Sequence, residues 1–429
     1  MSNQADVIIL GAGIVGCSIA FSLAKRGIKT LNLDALPASG YGSTSHSSAV
    51  IRPIYSHVTS CAIAHESRFI WKNWKDFIGV EDDRGYANYT ECGGMVLVKE
   101  GEIDQYQANL DAMQEVGVQY EIINEQEIKT LYPDILLDSF GPPKPLNDDD
   151  FATKTEGRIT SAIMVGAAGY VSDPQLACHN LQVAAEHLGA KFLFNQEVVE
   201  IQQQNGIVTG VVTKKGDLFS AKTIVNAAGP HSSEVNKLAG IKLNIGTRAE
   251  KHEVVYQSAE SSCFSNIEKF IVDFDAGVYF RPDGKDVLIG SADPECDIPD
   301  VVNPNDFNEN FTEQWTLQSY RAAQRFPDVG ISNTARGTVG LYDVSGDWIP
   351  IYDKSELSGF FLAIGTSGNQ FKNAPMIGEI MAQIIEAEQD GKGHDETPAQ
   401  LNLPNIGRDV SLDFYSRNRE KQSTNSVMA

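Results

Sequence analysis

Four residues near the start of the chain have the types and spacing to hold a dinucleotide. Gly11-Ala12-Gly13-Ile14-Val15-Gly16 supplies the glycines of a G-x-G-x-x-G turn. Gly11 lets the chain turn tightly out of a strand, Gly13 lets backbone N–H groups approach a pyrophosphate, and Gly16 lets the next helix pack close to the sheet. The helix N-terminus adds its dipole and its N–H donors. Asp34 follows 18 positions after Gly16, where a carboxylate accepts from a ribose 2′-OH and disfavours a 2′-phosphate, so NADP is not expected. Nicotinamide and flavin dinucleotides share this turn, and other residues must decide between them. The small hydroxyls of Gly42-Ser43-Thr44-Ser45-His46-Ser47-Ser48 suit phosphate oxygens. Asn226-Ala227-Ala228-Gly229-Pro230 closes a strand with residues small enough for a chain or ring to come near.

The elements that must position these residues form one βαβ unit. Val7 to Leu10 is a β-branched run, Cys17 to Lys25 has helical spacing ending at Arg26-Gly27, and Ile28 to Leu33 is a second strand. Helical spacing returns from Ser60 to Phe77 and from Glu102 to Val116, and Asp173-Pro174 opens a helix to Leu188. Lys191 to Phe194 reads as a strand. Glu197–Ile201, Ile207–Lys214 and Leu218–Val225 read as a meander with turns at Asn205-Gly206 and Lys215-Gly216. A strand-rich stretch from 236 to 330 precedes a helix over Glu313–Arg325, and a last helix runs from Pro375 to Glu386. Residues from 401 on are polar and read as a surface tail.

Composition narrows the class. The 429 residues suggest two to three domains at about 150 residues each, and 42% hydrophobic residues can bury a sizeable core. Subtracting 57 Asp and Glu from 34 Lys and Arg leaves a charge of −23. That balance argues against nucleic acid and against anionic lipid as partners. No apolar run reaches the ~18 residues of a membrane span, and no signal peptide precedes Val7. Six cysteines at 17, 61, 92, 178, 263 and 296 form no CxxC, which suits reduced thiols in the cytoplasm. The histidines show no ligand spacing, Cys178-His179 reads as packing, and no metal is expected.

Seven segments in order resemble one family: GAGIVG, LDALPASGYGSTSHSSAVIR, GYVSDPQLACHNLQVAAEHLGAKFLFNQEVVEI, TIVNAAGP, VYFRPDGKDVLIGSADP, GLYDVSGDWIPI and AIGTSGNQFKNAPMIGEIMAQII. The chain is similar over residues 5–390 to the FAD-dependent D-amino-acid oxidase superfamily, in its branch of sarcosine oxidases, glycine oxidases and amino-acid dehydrogenases. The resemblance implies an α/β fold: a Rossmann-like FAD-binding domain interleaved with a mainly antiparallel-sheet substrate domain. The first would be assembled from 1–90, 155–235 and 330–400, the second from 91–154 and 236–329, with 401–429 as a C-terminal tail. It also implies that Gly11, Gly13 and Gly16 hold the diphosphate and Asp34 the ribose, while Ser43, Thr44 and His46 line the phosphate and flavin side. Val198 would meet adenine through its backbone, Ala228 and Gly229 would lie beside the cofactor, and Gly368, Asn369, Gln370, Phe371 and Lys372 would face the flavin's pyrimidine end.

By the same resemblance Arg52 and Lys372 bind the substrate carboxylate, and Tyr342 completes the catalytic site. Glycine oxidases and D-arginine dehydrogenases carry an arginine at the position of Tyr342, so the tyrosine favours a sarcosine-like site. Tyr279 and Phe280 would wall the pocket, with Tyr55 and His57 near its entrance. Gly340 stands where monomeric sarcosine oxidases carry the cysteine that links FAD, so non-covalent FAD is expected. Leu288 stands where those oxidases place an oxygen-activating lysine, with Lys285 displaced, which puts the use of oxygen in doubt. The expected reaction is oxidation of the C–N bond of a small amino acid, N-methylated ones included, to an imine, with oxygen or an electron carrier as acceptor. Two alternatives stay open: a 2-hydroxy-acid or glycerol-3-phosphate type dehydrogenase, and an FAD-binding subunit of a larger complex.

Overall fold

The computed structural model describes residues 3–259 and 267–422. Cys263 and the last seven residues of the expected tail lie outside them. A six-stranded sheet has the order Ile351–Lys354, Phe360–Ile364, Thr223–Asn226, Val7–Leu10, Thr30–Leu33, Lys191–Leu193. All its pairings are parallel except that of Ile351–Lys354. Val7–Leu10, Thr30–Leu33 and Thr223–Asn226 are buried at every position, as strands covered on both faces must be. Helices Ile14–Lys25, Pro174–His187 and Ala374–Gln389 cover one face together. Ser18 Oγ donates to the Ala374 carbonyl, and a Cβ on Gly378 would stand 2.3 Å from the Ser18 oxygen. Only a missing side chain lets these two helices touch.

A second sheet has nine strands among the described residues. It is antiparallel apart from the pairing of Phe270–Asp273 with Gly94–Lys99. Helix Glu313–Arg325 packs on it, capped by Thr312, over the residues that the periodicity predicts. The fold is thus α/β, a Rossmann-like parallel sheet joined to a mainly antiparallel one. Strands Ile159–Val165 and Gly337–Ser345 belong to the antiparallel sheet, although the expected division groups them with the dinucleotide-binding part.

Four local expectations are corrected. The meander holds three strands, Val198–Gln204, Ile207–Thr213 and Leu218–Ser220. Thr223–Asn226 leaves it to pair with Val7–Leu10, because a strand buried at every position needs cover on both faces. The helix expected over 60–77 is two, Val58–Lys72 and Trp74–Ile78, broken at Asn73. The described residues from 400 on are not a surface tail. Gln400–Leu403 pairs with Arg408–Ser411, and Leu401, Leu403, Val410, Leu412 and Tyr415 enter the main core. Its alternation of apolar and polar residues hides half of each strand. Arg417 and Arg419 then anchor the chain on Asp353 and Asp347. Lastly, Cys178 does pack, with Sγ 3.5 Å from Cys17 Sγ, but His179 turns the other way to Asp82 at 2.8 Å.

Candidate active site

A cavity of about 1100 Å³ runs from the carboxyl ends of the parallel strands to the antiparallel sheet. Its first wall is the turn after Val7–Leu10. Gly11 has a φ of 113°, and a Cβ there would stand 2.3 Å from the Ala227 carbonyl oxygen, so no other residue fits. Gly16 lies beneath the turn, where a Cβ would meet the Gly11 oxygen at 2.2 Å. Gly13 is the N-cap of helix Ile14–Lys25, with no side-chain cap, and opens on the cavity. Thr44 Oγ1 accepts from the Ile14 N–H at 3.1 Å, which sets its hydroxyl at the same helix N-terminus. Asp34 accepts from the Ala12 N–H at 2.6 Å and the Leu36 N–H at 2.8 Å. Burial pushes its carboxyl up in opposition to these bonds. A carboxylate fixed this way keeps lone pairs for a ribose hydroxyl.

The remaining dinucleotide candidates line the same cavity. Val198 stands beside Gln196, whose buried Oε1 has no hydrogen-bond partner among the described residues. A donor such as an adenine amino group would satisfy it. Ala228, whose N–H donates to Asn226 Oδ1, and Gly229 form a wall that no side chain obstructs. Ser43 Oγ donates to the Leu341 carbonyl at 2.6 Å. His46 lies on Gly340, where a Cβ would come within 2.7 Å of the histidine. Glycine-made clearances, a helix N-terminus, a ribose-type acid and an orphaned acceptor all fit FAD.

The other end of the cavity is built from side chains far apart in sequence. Arg52, just past the two-residue strand Val50–Ile51, and Lys372, in the short helix Phe371–Asn373, are both buried and both line it. Burial lowers Arg52; burial and the charge of Arg52 hold Lys372 well below an ordinary lysine. Tyr55 positions the pair: its ring lies 5.0 Å from the Arg52 guanidinium carbon, and its hydroxyl accepts from Lys372 Nζ at 3.1 Å. Burial pushes the Tyr55 phenol up to about 12, so it stays neutral. The Asn369 carbonyl accepts from both Tyr55 and Lys372. Gln370 Oε1 accepts from Tyr352 and Asn373. Phe371 stacks on Trp71, whose Nε1 donates to the Lys372 carbonyl at 2.7 Å.

Tyr342 crosses this end. Its ring stacks on His252 at 3.9 Å and lies against Gly368, where a Cβ would meet it at 2.1 Å. Gly368 also has a φ of 64°. Burial pushes the Tyr342 phenol up. Tyr279 lines the cavity and shares a 2.5 Å hydrogen bond with Ser48 Oγ. Phe280, its expected companion, points into the core on the far face of the sheet, as the next residue of a strand must. Tyr55 and His57 are not at an entrance. Tyr55 lies behind Lys372, and His57 precedes helix Val58–Lys72 with its ring on Phe414. Leu288 is buried and pairs with Arg281 and Tyr256, while Lys285 is exposed at the hairpin end.

The sequence profile of the FAD-dependent oxidoreductases, DAO, matches residues 6–384. The chain belongs to this family. It is an FAD-dependent oxidoreductase, with FAD as its cofactor. Among relatives of this DAO protein is the sarcosine oxidase subunit beta of Rhodobacter capsulatus, 25% identical over 93% of this chain and 87% of that one. The mitochondrial sarcosine dehydrogenase of Homo sapiens is 24% identical over 97% of this chain but only 44% of its own length. The L-proline dehydrogenase of P. horikoshii shares the fold, with a TM-score of 0.76, 23% identity and coverage of 97% and 98%. No helix of the described residues is long and apolar enough to cross a membrane.

Asp293 and Ser48 also line this end of the cavity, and His252 stacks on Tyr342; sequence reasoning missed their part in it. His252 lies on strand Thr247–Ser258 and reaches the site only through the pairing of that strand with Gly337–Ser345. Nothing in its sequence neighbourhood signals this. Ser48 belongs to the hydroxyl-rich loop already singled out, and its pairing with Tyr279 needs the fold.

Proposed function

We propose that this oxidoreductase oxidises the C–N bond of a small amino acid to an imine, with the substrate carboxylate held between Arg52 and Lys372. One observation carries the reading: two buried basic side chains line the cavity that bears the FAD fingerprint. Desolvation makes such a pair costly, and a bound carboxylate offsets the cost with charge-assisted hydrogen bonds. The parallel sheet would hold the dinucleotide and the antiparallel sheet would roof the substrate. FAD, when bound, would take up two electrons with the hydrogen of the substrate C–H bond, and the N–H proton would pass to solvent.

The chain's own work is orientation. Arg52 and Lys372 hold one end of the substrate, Tyr55 and the Asn369 carbonyl hold Lys372, and Tyr342 and Tyr279 exclude water from the reacting carbon. Water then hydrolyses the released imine to a carbonyl compound and an amine. Gly340, with His46 packed on it, supports non-covalent FAD, since no side chain at 340 is available to link it. The apolar Leu288 supports an electron carrier rather than oxygen as the acceptor, and the buried free cysteines among the described residues support a reducing, cytoplasmic setting. Arg52→Ala tests the carboxylate site. Removing one buried charged partner costs about 2–5 kcal/mol, so KM for the best amino acid should rise about 30-fold or more while FAD stays bound. An unchanged KM in both Arg52→Ala and Lys372→Ala would refute the site.

A further inference from the structure

The wall that the antiparallel sheet contributes carries a carboxylate that orientation by Arg52 and Lys372 does not use. Asp293 lies just beyond strand Asp286–Ser291 and lines the cavity with one-fifth (20%) of its side chain exposed. Its φ of 52° is in the left-handed region, and its N–H donates to Ser291 Oγ at 3.0 Å. The turn explains a short polar residue here, but asparagine would serve the backbone equally well. The charge needs another reason. Burial pushes the carboxyl up, Glu250 and Asp297 add like charge, and Ser291 and His252 oppose them. His252 Nδ1 is 3.8 Å from Oδ1, beyond hydrogen-bond distance. Glu250 also draws that ring, at 3.7 Å from Nε2. Through the stack of His252 on Tyr342, Asp293 belongs to the end of the cavity that holds the two cations. Glu309 lines the cavity as well and adds negative potential.

A cavity with cations on one wall and a carboxylate on another fits a molecule with the reverse arrangement. The reacting nitrogen must be neutral to release its electrons, and a neighbouring carboxylate would keep it protonated. Asp293 therefore suits a different nitrogen. We propose that Asp293 recognises a cationic group on the substrate side chain, so that the preferred substrates are amino acids with a second basic group, diamino or guanidino acids. This rests on the carboxylate reading above.

The test is anaerobic flavin reduction of the FAD-loaded chain by matched pairs: ornithine against norvaline, lysine against norleucine, arginine against citrulline, in both enantiomers. The charged member of at least one pair should show a kcat/KM about 30-fold or more above its neutral partner. In Asp293→Asn, which keeps the left-handed turn, that ratio should fall to within about threefold of one, through KM more than kcat. Thermal melting gives a second readout, since the charged member should raise the midpoint more than the neutral one. The wild-type ratio stands as a test even if the variant fails to fold. Neutral members equal or better in every pair, with Arg52→Ala still raising KM, would overturn the Asp293 subsite and leave the carboxylate site intact. Reduction by no amino acid at all would overturn both.

Discussion

The two ends of the cavity are made differently. The end proposed for the dinucleotide is mostly backbone: Gly11, Gly13 and Gly16 in one turn and a helix N-terminus, with the Asp34 carboxylate after the next strand. The end proposed for the substrate is side chains, with Arg52, Tyr279, Asp293, Tyr342 and Lys372 arriving from five separate segments. A site made of backbone needs particular residues at fixed spacing, so it leaves a motif. A site made of side chains needs only that strands pair in a given register, and many sequences achieve that. The first end is rigid by steric exclusion, the second by hydrogen bonds such as that between Tyr55 and Lys372.

The largest way to break this comparison is at Gly11. A Cβ there meets backbone, which cannot rotate away, so Gly11→Ala should lose FAD altogether. Gly13→Ala meets only the Thr44 hydroxyl, at 3.3 Å, and should fold with weakened FAD. Absorbance of the purified proteins separates the two, and equal flavin content would contradict the steric account. Acid should release the wild-type flavin to the supernatant. Next comes Asp34→Ala, which removes a charged hydrogen-bond acceptor worth about 1.5–3 kcal/mol. FAD dissociation should rise by about 10-fold to 150-fold, with KM for the amino acid unmoved once FAD saturates.

A smaller effect sharpens the substrate end. Lys372 is held well below an ordinary lysine by burial and Arg52. A bound carboxylate restores its charge, so binding takes up a proton between the lowered value and the ordinary one. Affinity should therefore fall as pH rises through that window. Calorimetry in two buffers of different ionisation heat should detect the proton, and Lys372→Met should abolish it. Equal heats in both buffers for the wild type would mean that Lys372 is already charged. The smallest expected signal concerns the acceptor: with Leu288 at the matched strand, reduced enzyme should reoxidise slowly in air-saturated buffer. Rapid reoxidation with stoichiometric peroxide would show that another cation serves.

Much of this architecture was legible in the chain because it is periodic or stereochemically forced. The βαβ unit, the Asp173 cap of helix Pro174–His187 and helix Glu313–Arg325 appear where spacing and capping residues put them. The failures share one cause. Thr223–Asn226 changed sheets, and the hairpin Gln400–Ser411 was buried, because of partners far away in sequence. Polar composition at the C-terminus hid the alternation that packs Leu401 and Leu403. Phe280 was misplaced beside Tyr279 for want of strand alternation. At the proposed site, Arg52, Tyr342 and Lys372 come from family likeness, whereas His252 depends on strand register and Tyr55 and Asp293 on how two loops pack.

The central claim is that an amino acid, gripped by its carboxylate at Arg52 and Lys372, is what reduces the flavin. The direct measurement is the absorbance spectrum of the FAD-loaded protein, without air, on addition of amino acids, 2-hydroxy acids and glycerol 3-phosphate in turn. The account predicts bleaching by amino acids, with the required concentration raised about 30-fold or more in Arg52→Ala. Bleaching by a hydroxy acid or by glycerol 3-phosphate, with none by any amine, would contradict it.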